Sequence, residues 1–324
     1  MILLLGASGY VGQAFGSELY RRGYESIPLS RRAIDYTNFN LLFDYVRRVR
    51  PAFIINAAGY AGNPDLDDCE LARNETLSAN AILPQTIARV CLMTNTPWGH
   101  VSSGAIYSGA KVIVDGRIRI EKNLDRPDLR RLFAVRPECF FGFTEWDEPN
   151  FSFRCEPHNF YSGTKALAEE LIRGLGAVYV WRPGILFDER EESRNLLWQI
   201  QQSRKVYDSV DSYTHAADFV RACLNLWERQ SPFGIYNIVN PGAVTTRQVA
   251  EMFGRIHKPE RRFQFWKDDE EFHRSGTRAN RSHCILDESK LQAAGVEIRP
   301  VQEALEEALC HWRGLAAGAV LAQH

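Results

Sequence analysis

The sequence predicts an α/β protein built on a doubly wound parallel sheet, with a smaller, discontinuous C-terminal domain. Three observations predict it. Through the first half of the chain, short apolar runs alternate with helical patterns, as in parallel strands joined by crossover helices. A glycine string, Gly6 to Gly12, follows the first apolar run directly. After Pro183 the alternation weakens and the chain becomes charged and helical.

Taken in order, Ile2–Leu5 is a strand of four apolar residues and Gly6–Gly12 a loop. Gln13–Arg22 is a helix closed by Gly23, a residue free to take the left-handed C-cap conformation. Ser26–Leu29 is the second strand, and Phe39–Arg50 a helix stopped by Pro51. Phe53–Asn56, His100–Ser102 and Ala177–Trp181 read as further strands, with helices at Ile82–Thr94 and Tyr161–Arg173. Beyond Pro183, residues 187–203 are charged and then helical, and Ala217–Arg229 is a helix. Gly234–Val239 is a strand that rejoins the main sheet, and Arg262–Trp266 is strand-like. The first domain therefore takes residues 1–183 and 234–240, and the second takes 184–233 and 241–324. Residues 109–137, rich in charge and carrying a hairpin-like Val114-Asp115-Gly116, fit neither pattern and read as an insertion.

Composition narrows the function classes. Lys plus Arg total 39 against 40 for Asp plus Glu. A protein that binds nucleic acid by neutralising phosphates carries a basic excess, and this chain has none. The apolar run at Met1–Leu5 is too short for a signal sequence, and no stretch reaches the ~18 apolar residues of a membrane span. The seven cysteines are odd in number and scattered without a CxxC pair. They read as reduced thiols of a cytoplasmic protein, with neither a disulfide framework nor a metal site.

Gly6-Ala7-Ser8-Gly9-Tyr10-Val11-Gly12 lies between a buried strand and a helix. There, glycines let backbone amides and a helix N-terminus approach a pyrophosphate, which makes the first domain a Rossmann-type dinucleotide binder. The end of the second strand discriminates the cofactor. NAD binders place an acid there for the ribose 2′-hydroxyl, whereas Ser30, Arg31 and Arg32 suit a 2′-phosphate. NADP(H) is thus favoured over NAD(H). Asp35 falls where a third strand would end, within reach of an adenine, and Ala57-Ala58-Gly59 offers small residues for a backbone to pack on a cofactor. Tyr161 and Lys165 share one helix face at i, i+4 spacing. A lysine cation there favours phenolate and would draw the phenol pKa down from ~10 toward a usable range. Ser102 and Ser103 close a preceding strand, where a hydroxyl could orient a carbonyl beside the tyrosine.

These residues together resemble the extended short-chain dehydrogenase/reductases that act on nucleotide sugars. The resemblance also rests on Asn56-Ala-Ala-Gly59, Tyr107, Arg182-Pro183 and Leu286-Asp287-Glu-Ser-Lys-Leu291. Within that family, Asn63-Pro64-Asp65, Asp68-Cys69-Glu70, residues 143–151 and residues 234–242 are similar to dTDP-4-dehydrorhamnose reductases and to the epimerase/reductase half of plant-type UDP-rhamnose synthases. The resemblance implies an NAD(P)H-dependent reductase of a nucleotide-activated 4-keto-6-deoxy sugar. A hydride goes to C4, and Tyr161 gives the proton. Lys165 would hold the nicotinamide ribose, Pro183 would line the cofactor, Ser102 and Ser103 would meet the substrate, and Arg281 its diphosphate. The family's four-helix homodimer contact stays open for this chain.

Departures from the family pattern sharpen the expectation. Dehydratases carry an Asp-Glu pair at the positions of Gly104 and Ala105. The epimerase/reductases carry a Cys at Ala105, paired in the plant type with a Lys near Gln199. Alanine and glutamine supply no proton, so ketone reduction fits better than epimerisation at C3 or C5. Two alternatives remain open: a redox-neutral 4-epimerase with tightly bound NAD, and a catalytically silent NADP-binding regulatory subunit.

Overall fold

A computed structural model describes residues 1–63, 65–257, 260–267, 269–275 and 277–312. Pro64 and residues 313–324, named in the expectations above, lie outside the described residues.

The central sheet has six parallel strands in the order Gly234–Ile238, Val178–Pro183, Trp98–Val101, Phe53–Asn56, Ile2–Leu5, Ser26–Leu29. Successive side chains of a strand point to opposite faces, and the two cores follow from that alternation. Ile2 and Leu4 join Phe53, Trp181, Phe15 and Leu19 on one face, while Leu3 and Leu5 join Ile54, Leu42, Val46 and Ile87 on the other. From Ile2–Leu5 the chain winds to Ser26–Leu29 on one side and to Phe53–Asn56 on the other. The crevice above that switch point is where open α/β sheets bind ligands.

A third core gathers Phe187, Leu197, Tyr213, Val249, Phe253, Leu305 and Trp312. It is framed by the strands Ile185–Phe187, Val210–His215 and Ala243–Thr245. Strand Gln264–Phe265, within the strand-like Arg262–Trp266, pairs in parallel with Lys205–Val206. One helix falls differently from expectation. Ala216–Glu228, assigned from sequence to the second domain, packs its Phe219, Val220 and Leu224 into the first core. Phe219 meets Phe15 at a ring-centroid distance of 6.2 Å. Its apolar face covers the same side of the sheet as the helix Tyr10–Arg21, so it belongs with the sheet.

Residues 109–137 form the expected hairpin, Ala110–Val114 with Arg117–Glu121, and a helix, Pro127–Val135. Asp115 and Gly116 turn the hairpin with φ of 51° and 71°, the paired positive values of a type I′ turn. Leu129 and Phe133 of that helix pack on Val112, Val210 and Ile285, which docks the insertion beside the third core. Ahead of the helix Leu83–Thr94 the chain makes two short helices, Asp67–Leu71 and Arg73–Leu77, and one π-helical turn, Ser78–Ile82.

Candidate active site

The crevice is floored by two loops that touch. Gly6 has φ +75°, and a Cβ there would lie 2.4 Å from the Ala58 nitrogen; at Gly12 it would lie 2.0 Å from the Gly6 oxygen. No side chain fits at either position. The helix begins at Tyr10, so Tyr10, Val11 and Gly12 form its first turn instead of the loop. Ser8 and Gly9 are exposed at the mouth. This cradle fits a dinucleotide pyrophosphate, with backbone amides and a helix N-terminus as donors. Tyr10 contributes backbone only, because its ring is buried beneath the Arg190 guanidinium, 4.9 Å from the ring centroid. At the far end of the crevice, Ser30, Arg31 and Arg32 are exposed.

From Ala58 the floor runs on to Gly59, where a Cβ would sit 3.4 Å from Lys165 Nζ and 3.1 Å from Asn80 Oδ1. Asn80 belongs to the π-helical turn. It accepts from Tyr60 N and donates to Tyr60 O, both at 2.8 Å, and so shapes the loop against the helix Phe160–Ile172. That helix is capped by Asn159, which accepts from Ser162 N at 2.7 Å. Lys165 is buried, and Nζ donates to Val101 O at 3.1 Å and lies 5.9 Å from the Tyr161 ring centroid. Burial draws the Lys165 pKa down to about 8, opposed by the Glu169 carboxylate. Ser103 sits beside the Tyr161 phenol, where its hydroxyl favours the ionised form, and it accepts from Ala105 N at 3.1 Å.

Tyr161, Lys165 and Ser103 are thus brought together as expected, but the electrostatics differ. Burial raises the Tyr161 pKa above its ordinary value, while the Ser103 hydroxyl and the Arg194 charge pull the other way. The expected lowering by Lys165 is overridden because desolvation disfavours phenolate and the ammonium is engaged with Val101.

Ser102 departs from its expected role. It is buried and its hydroxyl donates to Glu169 Oε1 at 2.6 Å, away from Ser103. Glu169 in turn receives Arg182 through Nε at 3.0 Å and a second guanidinium nitrogen at 2.5 Å, and Arg182 donates to the Tyr107 hydroxyl at 3.0 Å. This buried network joins the helix of Tyr161, the strand before Ser103 and the strand ending at Pro183. Pro183 is buried, and its carbonyl is 3.0 Å from where a Gly104 Cβ would be. Asp35 is also corrected. The described residues hold no strand at 30–38, and its carboxylate accepts from Thr37 N at 3.1 Å and Thr37 Oγ1 at 2.5 Å, which ties it into a local turn. Arg281 lies near the site, 3.6 Å from Asp67, on the loop whose Asn280 carbonyl accepts from Asn159 at 2.7 Å. Nothing in the sequence marks Asn80, Arg182 or Arg194 as parts of the site's surroundings. Glu169 carries a signal, its i+4 spacing from Lys165.

A dinucleotide cradle at the switch point of a parallel sheet, ending on a Ser–Tyr–Lys cluster, is the arrangement of an extended short-chain dehydrogenase/reductase. More narrowly, the chain belongs to the RmlD substrate binding domain family, whose profile matches residues 1–123 and 142–313. The unmatched stretch covers the helix of the insertion. Over 309 residues the chain is 27% identical to a trifunctional UDP-glucose 4,6-dehydratase/UDP-4-keto-6-deoxy-D-glucose 3,5-epimerase/UDP-4-keto-L-rhamnose-reductase of Arabidopsis thaliana; that match covers 94% of this chain and 41% of the relative. It is 26% identical to a bifunctional dTDP-4-dehydrorhamnose 3,5-epimerase/dTDP-4-dehydrorhamnose reductase of the same plant, covering 94% of this chain and 90% of that protein. Among solved structures it is similar in fold to the UDP-rhamnose synthase of Acanthamoeba polyphaga mimivirus, with TM-score 0.79 at 19% identity over 96% of this chain and 98% of that one. It is also similar in fold to a Bacillus anthracis dTDP-4-dehydrorhamnose reductase in complex with NADP, with TM-score 0.71 at 19% identity over 96% of each chain. No helix among the described residues is long and apolar enough to cross a membrane.

Proposed function

We propose that the protein is a cytoplasmic, NADPH-dependent reductase of a nucleotide-activated 4-keto-6-deoxy sugar. The observation that carries this reading is the half-buried Tyr161 phenol beside Ser103, at the end of a glycine-floored crevice whose last residue lies against Lys165. Both Arabidopsis relatives named above carry a keto-sugar reductase among their activities, which supports the same substrate class.

The residues divide the work. Gly6 to Gly12 and Ala57 to Gly59 would hold the dinucleotide, and Arg31 and Arg32 its 2′-phosphate. Bound NADPH supplies a hydride for the carbonyl carbon. Ser103 orients the carbonyl oxygen, and Tyr161 gives it a proton. Burial keeps the phenol protonated, the form a reductase needs, and the Ser103 hydroxyl steadies the phenolate left behind. Lys165 orients the nicotinamide ribose. Ala105 and Gln199 leave no acid/base pair for epimerisation; Gln199 donates to Ser193 O at 2.9 Å.

The test is NADPH consumption with dTDP- and UDP-linked 4-keto-6-deoxy sugars. Stoichiometric loss of NADPH with appearance of the alcohol is expected. Copurified NAD with sugar interconversion and no net NADPH loss would replace this reading with a redox-neutral epimerase.

A further inference from the structure

Residues 188–195 join the strand Ile185–Phe187 to the helix Leu196–Gln202 on the third core and reach both floor loops of the crevice, yet the reaction just described gives them no part. Their turn is braced from within. Asn195 is buried and its Nδ2 donates to Asp188 O at 2.7 Å, to Asp188 Oδ1 at 2.9 Å and to Arg190 O at 2.6 Å. From this braced turn, two arginines reach the two floor loops. Arg190 lies over Tyr10 and donates to Gln13 Oε1 at 3.4 Å, and Gln13 donates onward to Ser8 O at 3.0 Å in the glycine loop. Arg194 donates to Ala61 O at 2.8 Å and to Gly62 O, just beyond Gly59.

The two guanidiniums differ in charge balance. Arg190 is met by Asp188, Nε to Oδ2 at 2.7 Å. Among the described residues no carboxylate lies within ion-pair distance of Arg194, which is half-buried. Carbonyl oxygens satisfy its hydrogen bonds without neutralising it, and a half-buried cation left in that state attracts an anion. Its charge reaches Tyr161, since Arg194 is among the groups that lower the phenol pKa. The terminal nitrogens each give one hydrogen to these carbonyls, and the N–H groups that remain, Nε–H included, suit a ligand with several anionic oxygens, a diphosphate, between the pyrophosphate cradle and the Tyr161 phenol.

We propose that Arg194 is a diphosphate-binding residue, presented by a strap, residues 188–195, that spans both floor loops. This rests on the reading of those loops as a dinucleotide site. The strap's link through Gln13 to Ser8 favours the dinucleotide's own diphosphate over that of a sugar nucleotide.

The experiment is calorimetric or fluorescence titration of wild type, Arg194→Ala and Arg194→Lys with NADPH and, separately, with UDP. Loss of a charge-assisted fork should weaken NADPH binding by about tenfold or more in Arg194→Ala, with UDP unchanged. Arg194→Lys should fall between, because it keeps the charge and loses the fork. Weakening confined to UDP would support the diphosphate role and assign it to the sugar nucleotide. Equal affinities across the three proteins for both ligands would overturn the proposal. Melting curves of the unliganded proteins show whether each variant folds, and Arg194→Lys carries the test if the alanine does not. Wild type that binds NADPH but reduces no keto sugar would sink the reductase reading and leave this inference standing.

Discussion

At one end of the crevice, Tyr161 and Lys165 sit among buried groups, braced from behind by Ser102, Glu169, Arg182 and Tyr107. At the other, Ser30, Arg31 and Arg32 stand in solvent, and Arg31 and Arg32 have no ion pair among the described residues. Under the proposed function the two ends serve one ligand, and they do so under opposite physics. In the buried end, chemistry and folding draw on the same contacts, so no residue there can change without moving stability. In the exposed end, water has already solvated the charges, and discrimination can be altered at almost no cost to the fold. The difference teaches where cofactor preference is free to drift and where catalysis is locked.

The sharpest way to break that contrast is at Tyr161. Tyr161→Phe should lower kcat by about 10²–10⁴-fold, the range for a lost general acid, while NADPH affinity measured by fluorescence stays within twofold or so. A variant that retains near wild-type turnover would remove the phenol from the chemistry.

Next comes the brace. Glu169→Ala leaves Arg182 buried without its carboxylate, and breaking such a pair costs about 3–5 kcal/mol, to be read from denaturant unfolding. Glu169→Gln, which keeps the shape, should cost less. If both variants unfold like wild type, the network does not couple the site to the fold.

Lys165 tests the same coupling by pH. Its folded pKa of about 8 lies below the ordinary 10.5, so between those values the unfolded chain holds more protons and stability rises with pH. Over that window the unliganded wild type should gain roughly 3 kcal/mol relative to Lys165→Met. A pH-independent difference between the two would mean the ammonium is not desolvated.

The smallest effect is expected at the open end. Arg31→Ala should reduce the preference for NADPH over NADH by about tenfold, through loss of one charge-assisted contact, with the melting temperature unchanged. A change in both cofactors' affinities together would place Arg31 away from the 2′-phosphate.

The same contrast explains what the sequence disclosed. Gly6–Gly12 and Tyr161–Lys165 were legible because each is a local spacing whose geometry follows from a strand-to-helix turn or one turn of helix. Ser102 was misread although strand alternation argues that neighbours at a strand end face opposite ways, which sends its hydroxyl to Glu169. Asn80 meets Thr164, Arg182 meets Glu169 and Tyr107, and Arg194 meets Ala61, and most of these pairings cross long stretches of chain and leave no spacing to read. Asp35 was given a strand end because doubly wound sheets usually have one there; the chain instead closes a turn on Thr37. The insertion announced its hairpin through Asp115-Gly116, whereas its docking on Val210 and Ile285 depends on residues far along the chain.

The sheet's last strand has a consequence for how the protein is made. Gly234–Ile238 pairs with Val178–Pro183, and the chain between them leaves to build part of the third core before returning. On a ribosome adding about 5–20 residues per second, the 50 residues from 184 to 233 take roughly 3–10 s to emerge. Through that interval the nascent Val178–Pro183 presents an open, apolar edge, the kind of template on which neighbouring chains misassemble. Synthesis rate and chaperone supply should therefore govern the yield of active protein more than the stability of the finished fold.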